Sequence, residues 1–465
     1  MQSNLPERDV QYDYDRFVVQ EYDYYIQFFP YYAARLKQSQ ELLKKTASTH
    51  WPDTDIHKIS DLAEKVDDDK KNETDPGPSE KLERSSSIDE EILQGKSVVL
   101  LGMFFKKMPN KPNVLDELEG RKKVETSSGD STDKIENYVS EDDKLFLQAG
   151  DESIQLIEGI EIAKYSTGIC AAVKGHINPN GSGFIVEDIA FPGTAFEKTE
   201  TKFTKDSYYV ALVSGLGFSK NMASNSKLTK SLNVLNDLVT GFSDSDKKVV
   251  NLIIAGNSVG TKAEIEEKDG KAKKPAWSQR IQSFTIESIK MFDKLLASLG
   301  QVVNVDVMPG DLDPCNHLWP QQPMHPCLFP LCHKRESIRS VTNPFDATYF
   351  GVNFLGTSGP NVDTLKQCTN MGSTLDVMKE LLTWAHIAPH CPDVLHSYPF
   401  KTHDPFVLDK LPDVFFTGNQ NEYASEIVQA KNGKNVLLVS VPNFETNSGI
   451  VLVNLKTLDC ELISC

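Results

Sequence analysis

Residues 305–314, VDVMPGDLDP, run alternating valines into a Pro-Gly break and then place Asp311 and Asp313 within three residues. The pattern predicts a buried strand that delivers two carboxylates to a loop, where carboxylates could ligate a divalent cation. Other strand-like runs end in comparable loops: SGLG at 214–217, GNSVG at 256–260 and GNQN at 418–421. In an α/β sheet such loops gather beyond the carboxyl ends of the strands, which is where functional groups collect. Their side chains are poor donors, however. Gly215, Gly217 and Gly260 have none, Leu312 is apolar, and Asn257, Asn419 and Asn421 are neutral amides. Asp in a tight turn bonds nearby backbone amides, so Asp311 and Asp313 are read as turn residues, and no metal or other cofactor is expected.

A second gathering of candidate ligands, Cys315, His317, His325, Cys327, Cys332 and His333, lies in CNHLWPQQPMHPCLFPLCH. Structural zinc sites present short knuckles such as Cys-x-x-Cys, and none occurs there, so a proline-braced loop is expected instead. His386, His390, His396 and His403 cluster near a proline-rich loop and are read as surface or satisfied core residues. No Walker-type loop and no Gly-x-Ser-x-Gly elbow is present, which leaves nucleotide hydrolysis and that form of serine catalysis without support.

The elements that must position these loops follow from the rest of the chain. A length of 465 residues implies more than one core, and the longest apolar run, VVLLGMFF at 98–105, is too short to span a bilayer. The acidic start MQSNLPERDVQYDYDRF is unlike a secretory signal, and the eight cysteines show no tight framework; an intracellular, disulfide-free protein without membrane contact is expected. A net charge of −17 opposes tight unaided binding to a phosphate backbone. The best basic candidate, Lys271, Lys273, Lys274 and Arg280, is read as a solvated loop.

Residues 1–60 are expected to form a helical arm, because Tyr24, Phe28, Phe29, Tyr32 and Leu36 recur at helical spacing with Pro30 as a start or kink. Residues 61–94 lose their hydrophobics and read as an acidic linker, with Ser87 before Asp89, Glu90 and Glu91 as a candidate phosphorylation site. Residues 95–202 hold five short strands, with Asn180-Gly181 at a hairpin tip, and suggest a barrel of the OB type. From 203 to 465 strands alternate with amphipathic helices. One helix places Leu228, Leu232, Leu235 and Val239 on a face, and the next Ile281, Phe284, Ile289, Phe292, Leu295 and Leu299 before Gly300. That alternation implies a layered α/β domain.

The order of the four loops resembles the metallophosphoesterases, whose loops carry Asp-x-His, Gly-Asp-x-x-Asp, Gly-Asn-His-Asp/Glu and a late Gly-His-x-His. On that resemblance Gly215 and Gly217 stand where the first Asp and His belong, and Asn257 and Gly260 replace the two Asp of the second loop. Asp311 takes the Asn position, Leu312 that of the His, and Asn419 and Asn421 those of the late His pair. A neutral amide in place of a bridging carboxylate removes the charge that holds two cations together. The implied architecture is mixed α+β: an OB-type barrel plus a calcineurin-like, inactivated phosphoesterase sandwich, with the N-terminal helical arm.

Further stretches narrow the resemblance: VALVSGLG at 210–217, NLIIAGN at 251–257, WPQQPMHPCLFP at 319–330, VTNPFDAT at 341–348, GVNFLGTSGPNV at 351–362, SYPF at 397–400 and DPFVL at 404–408, with GMFFKKMPNKPNVLDEL at 102–118 in the barrel. Together with YYAARL at 31–36 they resemble the B-subunits of replicative DNA polymerases, and most closely the small subunits of DNA polymerase delta. The resemblance implies a non-catalytic nuclear scaffold in DNA replication and repair. It would hold the Cys-rich C-terminal domain of the catalytic subunit and a third, accessory subunit, with DNA contact indirect or weak. It also makes the catalytic subunit of polymerase zeta a candidate partner. Phe104, Phe105 and Trp319 are candidate interface residues, with the core as the equal alternative. The competing reading is an active metal-dependent phosphodiesterase or 3′-5′ exonuclease, as in archaeal small subunits that keep their Asp and His.

Overall fold

The computed structural model describes residues 9–23, 25, 27–59, 96–112, 137–178, 183–201, 203–204, 206–219, 226–240, 247–260, 285–332 and 334–464. The acidic linker with Ser87, Tyr24, the Asn180-Gly181 tip, the 271–280 basic run, Ile281, Phe284 and His333 lie outside the described residues, as do the side chains of Leu228 and Val239.

The arm is less helical than its spacing predicts. Strand β1 (Val10–Tyr12) pairs antiparallel with Phe345–Tyr349, a 3-10 turn follows at Tyr14–Phe17, and helix α1 spans Phe29–His50. Helix begins only at Phe29, with Pro30 in the first turn, where a missing N–H leaves no bond unmade. The Tyr-Asp stretch before it is drawn into sheet pairing and tertiary bonds, such as Tyr12 Oη donating to Asp306 Oδ1 at 2.8 Å.

Strands β2 (Ile56–His57), β3 (Val98–Lys107), β4 (Lys144–Ala149), β5 (Glu152–Glu158), β6 (Cys170–Ile177) and β7 (Phe184–Ala190) form one sheet. Its order is β2-β3-β4-β5-β7-β6, and a β3–β6 pairing closes the last five strands into a ring in which only β5–β7 is parallel. This is the five-stranded OB layout. Alternate residues Val98, Leu100, Phe104, Leu145, Leu147, Leu156 and Phe184 fill it. Each contributes roughly 1.5–3 kcal/mol by leaving water.

The second unit runs β8 (Tyr208–Val213), α2 (Ser226–Thr240), β9 (Lys248–Ala255), α3 (Ile286–Leu299), β10 (Asn304–Met308), β11 (Ile338–Ser340), β12 (Phe345–Tyr349) and β13 (Val352–Thr357). It continues with α4 (Pro360–Cys368), α5 (Thr374–Thr383), β14 (Val414–Gln420), β15 (Ala424–Gln429), β16 (Asn435–Pro442), α6 (Phe444–Asn447), β17 (Gly449–Asn454) and β18 (Cys460–Ser464). Two six-stranded sheets result, ordered β1-β12-β13-β14-β16-β15 and β11-β10-β9-β8-β17-β18. Val210, Leu212, Ile253, Phe345, Phe354, Phe416 and Val439 form the core between them. Leu232, Leu235, Phe292, Leu296 and Leu299 of α2 and α3 bury the outer face of the second sheet. On the outer face of the first, Val362, Leu365, Val377 and Leu381 of α4 and α5 share one apolar cluster with the barrel.

Thr285 caps α3 in a reciprocal pair with Ser288, satisfying two N-terminal donors. Gly300 ends this helix, but at φ −68, so its use is not a left-handed turn. A Cβ there would lie 2.6 Å from Ile338 Cδ1, and glycine lets the helix end approach β11. Among the described residues no helix is long and apolar enough to cross a membrane.

Candidate functional site

Strands β8, β9 and β10 are mutually parallel, as are β13, β14 and β16, and their carboxyl ends meet. Ser214 bridges to Asn443 across the two sheets, and Asn419 reaches the ends of both. The loops singled out in the sequence therefore converge, as a metal-binding cluster would require.

What fills the convergence is a net of amides. Asn419 Nδ2 donates to Ala255 O at 3.1 Å and Ser358 O at 2.8 Å, and its Oδ1 accepts from Asn443 Nδ2 at 3.4 Å. Its backbone N–H donates to Ser214 Oγ at 2.8 Å, while Ser214 Oγ donates on to Pro442 O at 3.1 Å. Asn257 Oδ1 accepts from the Leu312 N–H at 3.1 Å. Asn257 and Asn419 both sit in the left-handed region, at φ 54 and 57, a conformation that asparagine tolerates better than most residues. Gly215, at φ 66, passes so close that a Cβ would fall 2.3 Å from Asn443 Nδ2 and 2.7 Å from Asn419 Oδ1. The glycine and the two amides thus occupy adjoining space.

The remaining predicted positions separate. Gly217 lies against Glu445, whose Oε2 would be 2.9 Å from an added Cβ. Gly260 closes a backbone pairing, its N–H donating to Phe218 O at 2.9 Å. Asp313 is buried, and its two oxygens accept the N–H groups of Val259 and Gly310, each at 2.8 Å. Asp311 is exposed and accepts from Gln321 Nε2 at 3.4 Å, while Leu312 is half-buried and Asn421 exposed. Among the described residues, no three of His, Cys, Asp and Glu converge as a metal would need, here or in the 315–332 loop. In that loop His325 Nδ1 meets Cys327 Sγ at 2.9 Å, and Cys332 is buried in the α3 layer. Sequence reasoning did not single out Asn443 or Ser358; Ser358 lies in the stretch GVNFLGTSGPNV, whereas Asn443 lies in no motif that would have marked it.

A second constellation joins the arm to both units, and of its members the sequence reading singled out only the histidines. Arg35 of α1 is fully buried and donates through Nε to Asp404 Oδ2 at 2.6 Å, through Nη1 to Pro389 O at 2.5 Å and Gly168 O at 3.2 Å, and through Nη2 to Cys391 O at 2.7 Å. His386 Nε2 meets the same Asp404 oxygen at 3.0 Å, and its Nδ1 accepts from the Ala388 N–H at 3.1 Å. Burial alone would raise the Asp404 carboxyl, but Arg35 and His386 outweigh it and hold it well below the usual range. Burial pushes His386 down to about 4 and His390 down to about 3, so both are neutral near pH 7. Lys106 adds a buried tie from the barrel, with Nζ 3.2 Å from Asp143 Oδ2 and donating to Cys368 O at 2.9 Å.

Of the candidate interface residues, Phe104 and Trp319 are fully buried: the first fills the barrel and the second packs on Phe406. Neither offers a surface, because alternation along β3 turns Phe104 inward and Phe105 outward. Phe105 alone is exposed.

The barrel and the two-sheet sandwich each match a DNA polymerase subunit model, which places the chain among the polymerase B-subunits. The family model for the B-subunit of DNA polymerases alpha and epsilon matches residues 210–425, and that of the DNA polymerase delta subunit OB-fold domain matches residues 27–189. The chain is 30% identical over 446 residues to DNA polymerase delta subunit 2 of Drosophila melanogaster, covering 95% of this chain and 94% of the relative. It is 33% identical to the DNA polymerase delta small subunit of Arabidopsis thaliana, covering 80% and 82%, and 32% identical to that of Oryza sativa subsp. japonica, covering 80% and 84%. The chain belongs to the small-subunit family of DNA polymerase delta.

Proposed function

We propose that this accessory subunit of the replicative polymerase is a non-catalytic scaffold. It works in the nucleus and bridges the Cys-rich C-terminal domain of the catalytic subunit to a third, accessory subunit, with the polymerase zeta catalytic subunit as a further partner of the same kind. The observation that carries this reading is the amide net of Asn257, Asn419 and Asn443 at the strand ends. Two cations held side by side repel one another, and carboxylate charge must offset that repulsion. Amides are neutral and supply none, and the Asn419 N–H groups already serve the carbonyls of Ala255 and Ser358. The OB barrel and sandwich share one apolar cluster, and the Arg35 contacts fasten the arm to both, which suits a rigid spacer between partners.

Affinity purification of the tagged full chain tests the reading. Stoichiometric recovery of the catalytic subunit together with a third subunit is the expected result. Recovery of the chain with no polymerase large subunit would overturn it.

A further inference from the structure

The outer face of the barrel carries a pattern of charged and apolar side chains that, among the described residues, no other element covers. Phe105 of β3, 37% exposed, stands directly across from Phe146 of β4, with ring centroids 6.3 Å apart. Two residues along the same pair of strands, Lys107 stands directly across from Lys144. Both lysines are exposed, and among the described residues no carboxylate engages either of them. Like charges directly opposite each other on a sheet are destabilising, so the pair favours an anionic group set against it. Beyond it, Glu141 and Asp142 are exposed, and with Lys107, Pro109, Lys144, Gln155 and the buried Asp143, which pairs with Lys106, they line a cleft of ≈ 560 Å³.

Along the strand axis the surface therefore reads aromatic and then cationic, two residues or about 7 Å apart, with the acidic turn of Glu141 and Asp142 beyond the strand ends. A single-stranded nucleic acid suits the first two rows, but its next phosphate would meet Glu141 and Asp142. A polypeptide that alternates its charges meets no such conflict. We infer that this face docks an extended segment of a partner protein, with an apolar anchor on Phe105 and Phe146, an acidic residue against Lys107 and Lys144, and a basic residue against Glu141 and Asp142. The inference rests on the scaffold reading and gives that scaffold one of its contact surfaces.

The test uses the full-length chain co-expressed with the catalytic and third polymerase subunits, as wild type, as Phe105→Ser, and as the double variant Lys107→Glu/Lys144→Glu. Recovery of one of the two subunits falls by at least about tenfold in both variants, as is typical for a central anchor, while the other subunit and the melting temperature stay unchanged. If Phe105→Ser lowers the melting temperature, the double variant, which alters only exposed side chains, decides the matter. Variants that recover both subunits at the wild-type level overturn this surface and leave the scaffold standing. A wild type that recovers neither overturns the scaffold reading and this surface with it. Oligothymidylate binding by the wild type that both variants abolish, with subunit recovery unchanged, assigns the face to nucleic acid and overturns the protein segment.

Discussion

Arg35→Ala is expected to lower the stability of the folded chain by about 3–5 kcal/mol, the range for removing one partner of a buried ion pair. The loss has two parts. Asp404 stays buried with its charge no longer offset by the guanidinium, and the carbonyls of Gly168, Pro389 and Cys391 lose donors in a buried place. Arg35→Lys should recover only part of the loss. An ammonium cannot reproduce the planar fork that addresses a carboxylate and three carbonyls from one side chain. The denaturant midpoint and slope, followed by circular dichroism, measure the effect. A loss below about 1 kcal/mol would mean that the arm is held by its other contacts, such as the β1–β12 pairing and its apolar packing.

Acidification is expected to unfold the protein through His386 and His390. Both are buried neutral, with His386 near 4 and His390 near 3, while an unfolded histidine titrates near 6.5. As pH falls through 6.5 the unfolded chain takes up protons that the folded chain refuses, so stability is full above that value and declines toward the folded values. Asp404, held low, adds to the loss in the same direction below the ordinary carboxylate range. Between pH 6.5 and about 4 each histidine accounts for roughly 3 kcal/mol. Wild-type stability at a series of pH values between 7 and about 4 should show this slope, and His390→Asn should flatten it. A wild type equally stable at both ends would contradict the assignment of neutral, desolvated rings.

The strand-rich barrel and the alternating unit were legible because period-2 runs such as KLFLQ and continuous runs such as NLIIAG have few other ways to bury their side chains. The arm was less legible. The helical spacing read from Tyr24 to Leu36 does not reach back over residues 9 to 23, whose partners, Asp306 and strand β12, lie some three hundred residues away. The loop cluster could be placed from its glycines and asparagines, since φ near +60 narrows the choice of residue. Asn443 could not, because a loop that donates one amide across a sheet junction leaves no spacing to read. Arg35 is the sharpest omission. An arginine on a helix reads as solvent-facing, and only the tertiary fold brings Asp404 and three carbonyls to its guanidinium.

The claim that the strand-end loops assemble without metal chemistry is tested most directly by adding manganese to the purified full chain. Calorimetry and a diester substrate, including single-stranded DNA with a free 3′ end, serve as joint readouts. The account predicts no stoichiometric ion uptake and no hydrolysis above the buffer control. Two bound ions per chain, with hydrolysis that Asp311→Ala abolishes, would contradict it.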